Sequence, residues 1–541
     1  MMKPGGLPSL RALAGLASLG LASGLDAQPT GTASGAELFV ASSDCIACHS
    51  NITAPSGEDV SIGYTWRASM MANSARDPYW HAGVRRETLD HPSARAAIED
   101  TCSTCHMPMM RFTNAHGGGQ GEVFATLATQ AVNALAMDGV SCTVCHQIQP
   151  GNFGAHESFD GGFEVETASP AGQRPIFGPH DVDAGHQRVM QSAARFVPSQ
   201  TDHLKQSELC ATCHTLYTQT LGPNGEVIGE LAEQMPYQEW LHSEFRNTQS
   251  CQDCHMPELA QDTPITSVLG VPRPGFSQHS FRGANAFMLR VFNKYRDELG
   301  VAALPQEFAA AAQRATEFLG TQTARLTIGS ASLSRNVLDF TVAVQNLAGH
   351  KLPTAYPSRR VWLHVTVRDA GGAIVFESGA LRSNGSIVGN DNDDDASRYE
   401  PHYREISAAD QVQIYEPILA DRDGRVTTGL LSGVRYAKDN RVLPRGFDKS
   451  TATPDIAVYG EAAADADFIA ASDSIRYRVN LPPASGAVDI DVELYYQSIG
   501  FRWAENLRAY DAEEPRRFLR YYEDMAAYSG LRLASASTTV D

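Results

Sequence analysis

The chain has 541 residues, of which 43% are hydrophobic and 19% are charged, and its formal net charge is −19. This length predicts several domains with ample core-forming material, and the composition is that of a globular protein rather than a disordered chain. The 62 acidic side chains against 43 basic ones argue against nucleic acid or anionic lipid as a partner.

The N-terminal residues 1–27 have the pattern of an export signal. Lys3 and Arg11 precede an apolar run over residues 12–25, and Ala27 offers a small residue at a cleavage point. A buried N-terminal helix is the alternative interpretation. No later segment approaches the roughly 20 uninterrupted apolar residues of a membrane span. We therefore expect a mature chain without a membrane span, exported to the bacterial periplasm or beyond the cell.

All ten cysteines fall into five copies of the pattern Cys-x-x-Cys-His. We call these copies clamps 1 to 5 in chain order: Cys45, Cys48 and His49; Cys102, Cys105 and His106; Cys142, Cys145 and His146; Cys210, Cys213 and His214; Cys251, Cys254 and His255. Zinc ribbons need such knuckles in pairs, and disulfides would not explain a histidine after every second cysteine. The chain has 17 histidines in 541 residues. The probability that a histidine follows all five Cys-x-x-Cys pairs by chance is therefore on the order of 10⁻⁸.

Covalent haem attachment explains every element of the pattern. Two thiols bond to the two vinyl groups of the porphyrin, and the adjacent imidazole becomes an axial ligand of the iron. The sequence therefore predicts five c-type haems. We assign them to a pentahaem cytochrome domain over residues 28–300, loop-rich and mainly helical, with short helices such as one over 124–137. A region with so few long elements needs the porphyrins as its core, so we expect the haem-free chain not to fold.

The second axial ligand of each iron has to come from elsewhere, and the sequence offers several candidates. Met71 lies in the segment Trp66–Ala72, which resembles the W-x-x-S-x-H-A segment of multihaem cytochromes with methionine in place of the ligand histidine. A thioether can ligate haem iron and raises its potential, but a core methionine is the alternative, and so is an open iron.

Twelve histidines lie outside the clamps. His116, His279 and His350 lie beside glycines or a proline-restrained loop, which suits the presentation of an imidazole, and His203 lies seven residues before clamp 4. We predict these four as distal ligands. The weaker candidates are His156, His180 and His186, and the residues with a structural or surface interpretation are His242, His364 and His402.

Beyond the clamps, the spacing of apolar residues along the sequence changes, first to a helical pattern and then to strict alternation. Residues 301–322 predict a connecting helix, because 305–320 places apolar residues at helical spacing. Residues 323–505 predict an antiparallel β-sandwich domain, because segments such as 337–347 and 487–496 alternate apolar and polar residues. A helical tail over 506–541 follows. The fold class is thus α+β and multidomain.

An acidic turn at 390–400 could hold Ca²⁺ through Asp391, Asp393 and Asp395. It lacks the glycine and the final glutamate of an EF-hand loop, which favours a solvated acidic turn.

The clamps, the repeated Cys-His-Met-Pro at 105–108 and 254–257, and the Trp66 segment resemble exported multihaem cytochromes c. The nearest group is that of the tetrahaem cytochrome of ammonia oxidisers and hydroxylamine oxidoreductase. The resemblance implies haems stacked in close pairs along a chain, and a carboxy-terminal β-domain whose loop histidine, here His350 in "GHKLPT", reaches back to a haem. Two features depart from it: there is no Cys-x-x-Cys-Lys clamp, and no motif marks a cross-linking tyrosine.

These observations favour an electron carrier in the periplasm or outside the cell over a catalyst. The expected partners are redox proteins, such as other cytochromes or a quinol-linked donor, and the oligomeric state stays open. The alternative is an oxidoreductase in which one haem keeps an open site for a small nitrogen or sulfur compound. A third interpretation, compatible with the first, makes the β-domain a docking module.

Overall fold

The computed structural model describes residues 38–129, 133–483 and 485–541. The predicted export signal, residues 1–27, lies outside the described residues. Within the described part, no helix is both long enough and apolar enough to span a membrane.

The region that carries the clamps is built from short helices joined by loops. Its helices are α1 (Ser42–Ile46), α2 (Ile62–Arg67), α3 (Pro78–Asp90), α4 (Arg95–His106), α5 (Pro108–His116), α6 (Val123–Ala128), α7 (Ala134–Met137), α8 (Cys142–Cys145), α9 (Ala184–Ala194), α10 (Ser207–His214), α11 (Pro236–Leu241), α12 (Cys251–His255), α13 (Ala286–Lys294) and α14 (Arg296–Leu299). Its strands are β1 (Pro175–Gly178), β2 (Val197–Gln200), β3 (Leu216–Leu221) and β4 (Val227–Gln234). β1 and β2 pair in parallel, and β3 and β4 form an antiparallel hairpin.

The clamps lie on or directly after short helical turns. α4, α10 and α12 each end at the histidine of a clamp, α8 ends one residue before His146, and clamp 1 begins in α1. Residues i and i+3 of a helix lie on one face, and residue i+4 joins them. A helical turn therefore directs both cysteines and the following histidine of a clamp toward the same side.

A long helix, α15 (Pro305–Gln322), lies within the segment for which the sequence predicts a connecting helix. Its buried face carries Phe308, Ala312 and Leu319, which recur at helical spacing. Phe308 packs against Phe292 of α13 at a ring distance of 5.9 Å. α15 thus begins in the helical core next to the clamps and ends where the β-region starts.

Two five-stranded sheets face each other in the β-region. The strands are β5 (Ala324–Ile328), β6 (Ser332–Ser334), β7 (Val337–Asn346), β8 (Arg360–Arg368), β9 (Ile374–Ser378), β10 (Glu405–Ile406), β11 (Ile414–Tyr415), β12 (Pro417–Ala420), β13 (Val426–Thr427), β14 (Arg435–Asp439), β15 (Ser472–Asn480), β16 (Val488–Gln497) and β17 (Gly530–Val540). One sheet has the order β10-β15-β7-β5 with β6 on β7, and the other has β11-β8-β16-β17 with β9 on β8. A small third sheet, β13-β12-β14, lies beside them.

The alternation seen in the sequence is the burial pattern of these strands. Alternate residues of β7 and β16 are buried, among them Phe340, Val342, Ile490 and Val492, and one core cluster draws on both sheets. Pairing is antiparallel except for the short β10–β15 contact. The β-region thus consists of antiparallel sheets over a shared core, in an α+β fold.

The C-terminal tail differs from the prediction of a helical segment over 506–541. After the short helices α16 (Asp391–Asp394) and α17 (Phe501–Glu505), the tail has α18 (Glu513–Met525), but Gly530–Val540 is the edge strand β17. β16 is an inner strand that needs a second partner along its whole length, and β17 satisfies it from Val488 to Gln497. The predicted single helix over 124–137 is likewise two helices, α6 and α7, around residues that are not described.

The described residues belong to one compact unit, so the clamp region and the β-region are not separate bodies. Thr220 of β3 donates to the carbonyl of Gly433, and Arg85 of α3 pairs with Glu514 of α18. Contacts of this kind join the two regions on more than one side.

The acidic turn does not gather its carboxylates around a common point. Asp393 is buried and receives two hydrogen bonds from Arg360 at 2.8 and 2.9 Å. Asp391 pairs with Arg398, and Asp395 accepts from Ser397. The turn predicted as a Ca²⁺ candidate thus has its charges matched by arginines and by its own backbone.

Candidate haem-binding site

A single cavity of about 1790 Å³ runs through the clamp region and reaches the β-region. Its wall contains all ten cysteines and the five clamp histidines, together with His180, His186, His279, His350 and Met71. The remainder of the wall is largely apolar, with side chains such as Trp66, Val84 and Leu289. The fold therefore turns all five clamps toward one shared interior.

The cysteines fit the attachment chemistry that the motif predicts. All ten are free of disulfides and half-buried. They lie in the wall of the cavity with a histidine beside each pair. Thioether attachment to a porphyrin needs two accessible thiols and an imidazole on the same side, and every clamp supplies that set.

Four of the five clamp histidines, His49, His106, His146 and His255, share one hydrogen-bond direction. The Nδ1 of His49 donates to the carbonyl of Ile265 (2.7 Å), that of His106 to Ser74 (3.1 Å), and that of His146 to Phe177 (2.6 Å). His255 makes the same bond to Arg282. Such a bond fixes the tautomer with the proton on Nδ1 and leaves Nε2 to bind a metal.

His279 faces the histidine of clamp 3. The two rings lie 6.3 Å apart between centroids and are 11° from parallel. Two imidazoles that share one metal through nitrogen bonds of about 2 Å have their ring centroids about 6 Å apart. The Nδ1 of His279 donates to the carbonyl of Ser277 at 3.0 Å, so its Nε2 is free in the same way.

His350 has the same relation to the histidine of clamp 5. Its ring lies 6.4 Å from that of His255 at an angle of 14°. Its Nδ1 donates to the carbonyl of Lys351 at 3.0 Å. His350 comes from the loop between β7 and β8, so the β-region supplies this imidazole to the clamp region.

Burial keeps these imidazoles neutral. It lowers the pKa of His106, His214 and His279 to about 4 in each case. Burial also lowers the pKa of His350 below its ordinary value. A metal ligand has to be unprotonated, so this environment suits ligation.

Two of the predicted distal ligands are not brought to the cavity. His203 is buried, but its Nε2 donates to the carbonyl of Ile148 and its Nδ1 bonds to the hydroxyl of Thr201. His116 is exposed at the end of α5. Neither residue lies in the cavity wall.

The remaining histidines divide by the state of Nε2. In His81, His91, His186, His242, His364 and His402 that nitrogen bonds to another group. His156 is exposed and stacks on Tyr217. His180 lies in the cavity wall, and no described residue hydrogen-bonds to its ring.

Met71 lies in the cavity wall and is half-buried. Its carbonyl accepts the backbone N–H of Val140, two residues before clamp 3, which holds the Trp66 segment against that clamp. The indole of Trp66 donates to the carbonyl of the same Val140 at 3.1 Å. The methionine is therefore placed where a side chain could reach an iron.

Contacts between clamps define a branched order. The thiols of Cys45 and Cys142 interact, which joins clamps 1 and 3. In clamp 4, Cys213 interacts with Cys105 of clamp 2 and Cys210 with Cys251 of clamp 5. Cys145 of clamp 3 also lies near Cys213: burial raises the pKa of Cys145, and the charge of Cys213 raises it further. Clamp 4 thus neighbours clamps 2, 3 and 5, and clamp 1 lies beyond clamp 3.

The wall next to clamp 2 carries buried acids, which sequence reasoning missed. Glu87 of α3 and Glu233 of β4 are 6% and 4% exposed and line the cavity. Burial is the main cause that raises the pKa of the Cys102 thiol, and the negative charges of Glu233 and Glu87 raise it further. The Oε2 of Glu87 has no hydrogen-bond partner among the described residues. Burial raises the pKa of Glu233 to about 7. Their spacing in the sequence carries no motif, and only the fold brings them together.

No family model matches the chain, and no curated protein matches it. Among solved structures, the crystal structure of a penta-heme cytochrome c552 from Thermochromatium tepidum matches with a TM-score of 0.52. The two chains are 16% identical, and the match covers 93% of this chain and 100% of the other.

Fold and site together define the chain as one with a multihaem cytochrome fold. Within that class the solved neighbour is a pentahaem protein. At 16% identity the likeness concerns the fold, and the resemblance to the hydroxylamine oxidoreductase group stays a prediction.

Proposed function

We propose that the protein is an exported electron carrier that holds five c-type haems in one continuous interior. The observation that carries the proposal is the single cavity whose wall contains all ten cysteines and all five clamp histidines. When bound, each haem iron would take up and release one electron. The chain's own residues would anchor, orient and bury the haems, and so set their potentials.

We propose the axial ligands from the same geometry. Each clamp histidine would be one ligand of its iron, with His279 opposite His146 and His350 opposite His255. The parallel rings at 6.3 and 6.4 Å support both pairs. Met71 and His180 stay candidates for the other irons, because both lie in the cavity wall. His116 and His203 are left out of this set, because their ring positions do not favour it.

The branched order of the clamps supports a route for electrons. Charge would pass between clamps 1, 3 and 4, and clamp 4 would exchange with clamps 2 and 5. Redox proteins outside the chain, such as other cytochromes or a quinol-linked donor, would load and unload the haems. The periplasm or the cell exterior is the compartment that fits the predicted export signal.

The proposal is tested on protein produced in a host that matures c-type cytochromes. Mass spectrometry should show five haems added to the chain, and a redox titration should account for five one-electron centres. A mature chain with fewer than five covalent haems, or with centres that do not reduce reversibly, contradicts the proposal.

A second function is favoured by the acids next to clamp 2. A haem with an exchangeable position beside Glu87 and Glu233 could act on a small nitrogen or sulfur compound, because buried carboxyl groups can donate or accept protons. Electron paramagnetic resonance separates the two functions. A ferric high-spin signal that shifts with nitrite, hydroxylamine or cyanide supports the catalyst, and its absence supports the pure carrier.

A further inference from the structure

The loop that carries His350 has to cross from the β-sandwich to clamp 5. Gly349 lets the backbone approach closely, since a Cβ at this position would lie 3.3 Å from the Cβ of Phe245, just before clamp 5. The carbonyl of His350 accepts the side-chain amide of Asn346 at 2.8 Å, and the same amide donates to Val442 at 2.9 Å. These contacts fix the loop at its β-sandwich end.

The other end of the loop is fixed by Glu239 of α11, which stands between clamps 4 and 5 in the chain. One oxygen of its carboxylate, Oε2, accepts the backbone N–H of Lys351 at 3.1 Å and the hydroxyl of Thr354 at 2.5 Å. Its Oε1 lies 3.1 Å from the guanidinium of Arg441. Glu239 thus contacts the residue directly after His350 and one further along the same loop.

The charges around Glu239 form a closed, buried set. The ammonium of Lys351 donates to Asp439 at 2.7 Å and to the carbonyl of Ala457 at 3.0 Å, and Arg441 makes two bonds to Asp439 at 2.8 Å. Glu239, Lys351, Asp439 and Arg441 are at most 4% exposed. Burial alone would raise the pKa of Asp439, but Arg441 and Lys351 hold it well below its ordinary value. Two cations and two carboxylates balance, so the set is neutral as a whole.

We propose that Glu239, Lys351, Asp439 and Arg441 are positioning residues that hold the imidazole of His350 opposite His255. The proposal rests on the proposed function, in which His350 ligates the iron of clamp 5. The proposal gives the β-sandwich a role, which is to complete a coordination site in the clamp region. The buried charge set would hold the two regions in a fixed relative position at that site.

The physical reason is the free-energy cost of an unpaired charge in the protein interior. Removing one partner of a buried ion pair leaves an uncompensated charge in a low dielectric, so neighbouring segments move to readmit water. Lys351 is covalently next to His350, so a shift of Lys351 displaces the imidazole. A displacement of about 1 Å or less is sufficient to break a ligand bond whose length is fixed near 2 Å.

The test uses the matured holoprotein and four variants. Glu239→Gln keeps the size of the side chain but removes its charge. If the amide oxygen keeps the bonds from Lys351 and Thr354, the amide NH2 group has to face the guanidinium of Arg441, donor against donor. His350→Gly removes the ligand itself. Thr354→Val is a milder variant of the same network, for the case that Glu239→Gln does not accumulate. Asp393→Asn is the matched control, because it unbalances another buried pair, Arg360–Asp393, which has no contact with His350 among the described residues.

In His350→Gly, one haem of the five should become high-spin in electron paramagnetic resonance, and added imidazole should restore its low-spin signal. Glu239→Gln should give the same high-spin signal in a fraction of the molecules, with Thr354→Val in the same direction and smaller. Asp393→Asn should leave the spin states of all five haems as they are in the parent protein. Imidazole should also suppress the signal of Glu239→Gln, because it occupies the position that His350 has left.

The outcomes separate this proposal from the one on which it rests. If His350→Gly leaves every haem low-spin, the assignment of His350 as a ligand fails. If His350→Gly changes one haem but Glu239→Gln and Thr354→Val match the parent, the ligand stands and the positioning network is overturned. If Asp393→Asn gives the same high-spin haem as Glu239→Gln, the effect is a general loss of stability and the positioning role is overturned as well.

Discussion

At the scale of single residues, the direction of one hydrogen bond separates the histidines into two groups. His279 and His350 donate from Nδ1 to a backbone carbonyl, as four of the clamp histidines do, and leave Nε2 facing the cavity. In His203 the Nε2 is the nitrogen that is already bonded. Because an imidazole has only one nitrogen to spare once its tautomer is fixed, this difference supports the proposal that His279 and His350, rather than His203, are ligands.

Met71 can be tested through the potential of its proposed iron. If its thioether is a distal ligand, Met71→His should lower one of the five reduction potentials, because a second imidazole stabilises ferric iron more than a thioether does. Axial ligands set haem potentials over a range of about 0.8 V, so the shift should be resolved in a redox titration.

Met71→Leu is the matched variant, since it keeps the volume and loses the sulfur. It should leave one iron without its distal ligand and therefore high-spin. Unchanged potentials in Met71→His together with five unchanged haem signals in Met71→Leu would remove Met71 from the coordination shell.

Glu233 should make stability depend on pH. Burial raises its pKa from 4.5 to about 7, so the folded chain keeps a proton that the unfolded chain loses. Between these pH values each unit costs the folded state about 1.4 kcal/mol, or about 3 kcal/mol in all. Glutamine is neutral throughout, so Glu233→Gln should gain stability relative to the parent as pH rises from about 4.5 to 7, and no more above that range.

Thermal unfolding of the holoproteins at pH 5 and pH 8 measures this difference. Glu226→Gln is the control, because Glu226 lies in the same hairpin but is exposed to solvent. A stability difference between Glu233→Gln and the parent that is equal at both pH values would mean that Glu233 is ionised in the folded protein throughout.

Sequence alone could predict the clamps, because their chemistry is local: the two cysteines and the histidine lie within five residues. The glycine and proline settings of His279 and His350 also made these residues candidate ligands, which stays a prediction. The sequence did not separate them from His116 and His203, since the direction of a loop depends on tertiary contacts such as the bond from His203 to Ile148. The acids Glu87 and Glu233, 146 positions apart in the chain, had no local signal at all.

At the scale of elements, the helix α15 connects the clamp region to the β-region. Phe308 is fully buried where α15 packs against α13. Replacing a buried phenylalanine by alanine costs about 3–5 kcal/mol in most cores. Phe308→Ala should therefore lower the unfolding temperature of the holoprotein while its haem spectra stay those of the parent.

Gln313→Ala, on the exposed face of the same helix, should change stability by less than about 0.5 kcal/mol. Comparable losses in both variants would mean that the loss in Phe308→Ala does not come from the buried face of α15, because alanine is the best helix former and neither change lowers helical propensity.

Periodicity predicted α15 and the strands well, because both have one buried face and a solvent face. It did not predict β17, whose sequence "GLRLASASTTV" has few large apolar residues. That strand exists because β16 needs hydrogen-bond partners on both sides, which is a property of the sheet rather than of the segment.

At the scale of the whole molecule, the neighbours of each clamp determine the route of electrons. Clamp 4 neighbours clamps 2, 3 and 5, and clamp 1 neighbours clamp 3. Loss of a branch point separates the other haems into three groups, where loss of an inner station of a linear wire gives two, and loss of an end station leaves the remainder connected.

Removal of the haem at clamp 4 should therefore slow electron exchange among the remaining haems. In Cys210→Ser/Cys213→Ser, the haems of clamps 1 and 3, the haem of clamp 2 and the haem of clamp 5 should exchange electrons slowly with one another, so that equilibration after a fast reducing pulse takes more than one phase. Cys45→Ser/Cys48→Ser is the matched control, because it removes an end station and should leave the other four haems equilibrating in one phase. Both variants should carry four haems by mass and keep the circular dichroism of the parent. One-phase equilibration in the clamp 4 variant would mean that electrons pass between the groups without clamp 4, and the branched order would be wrong.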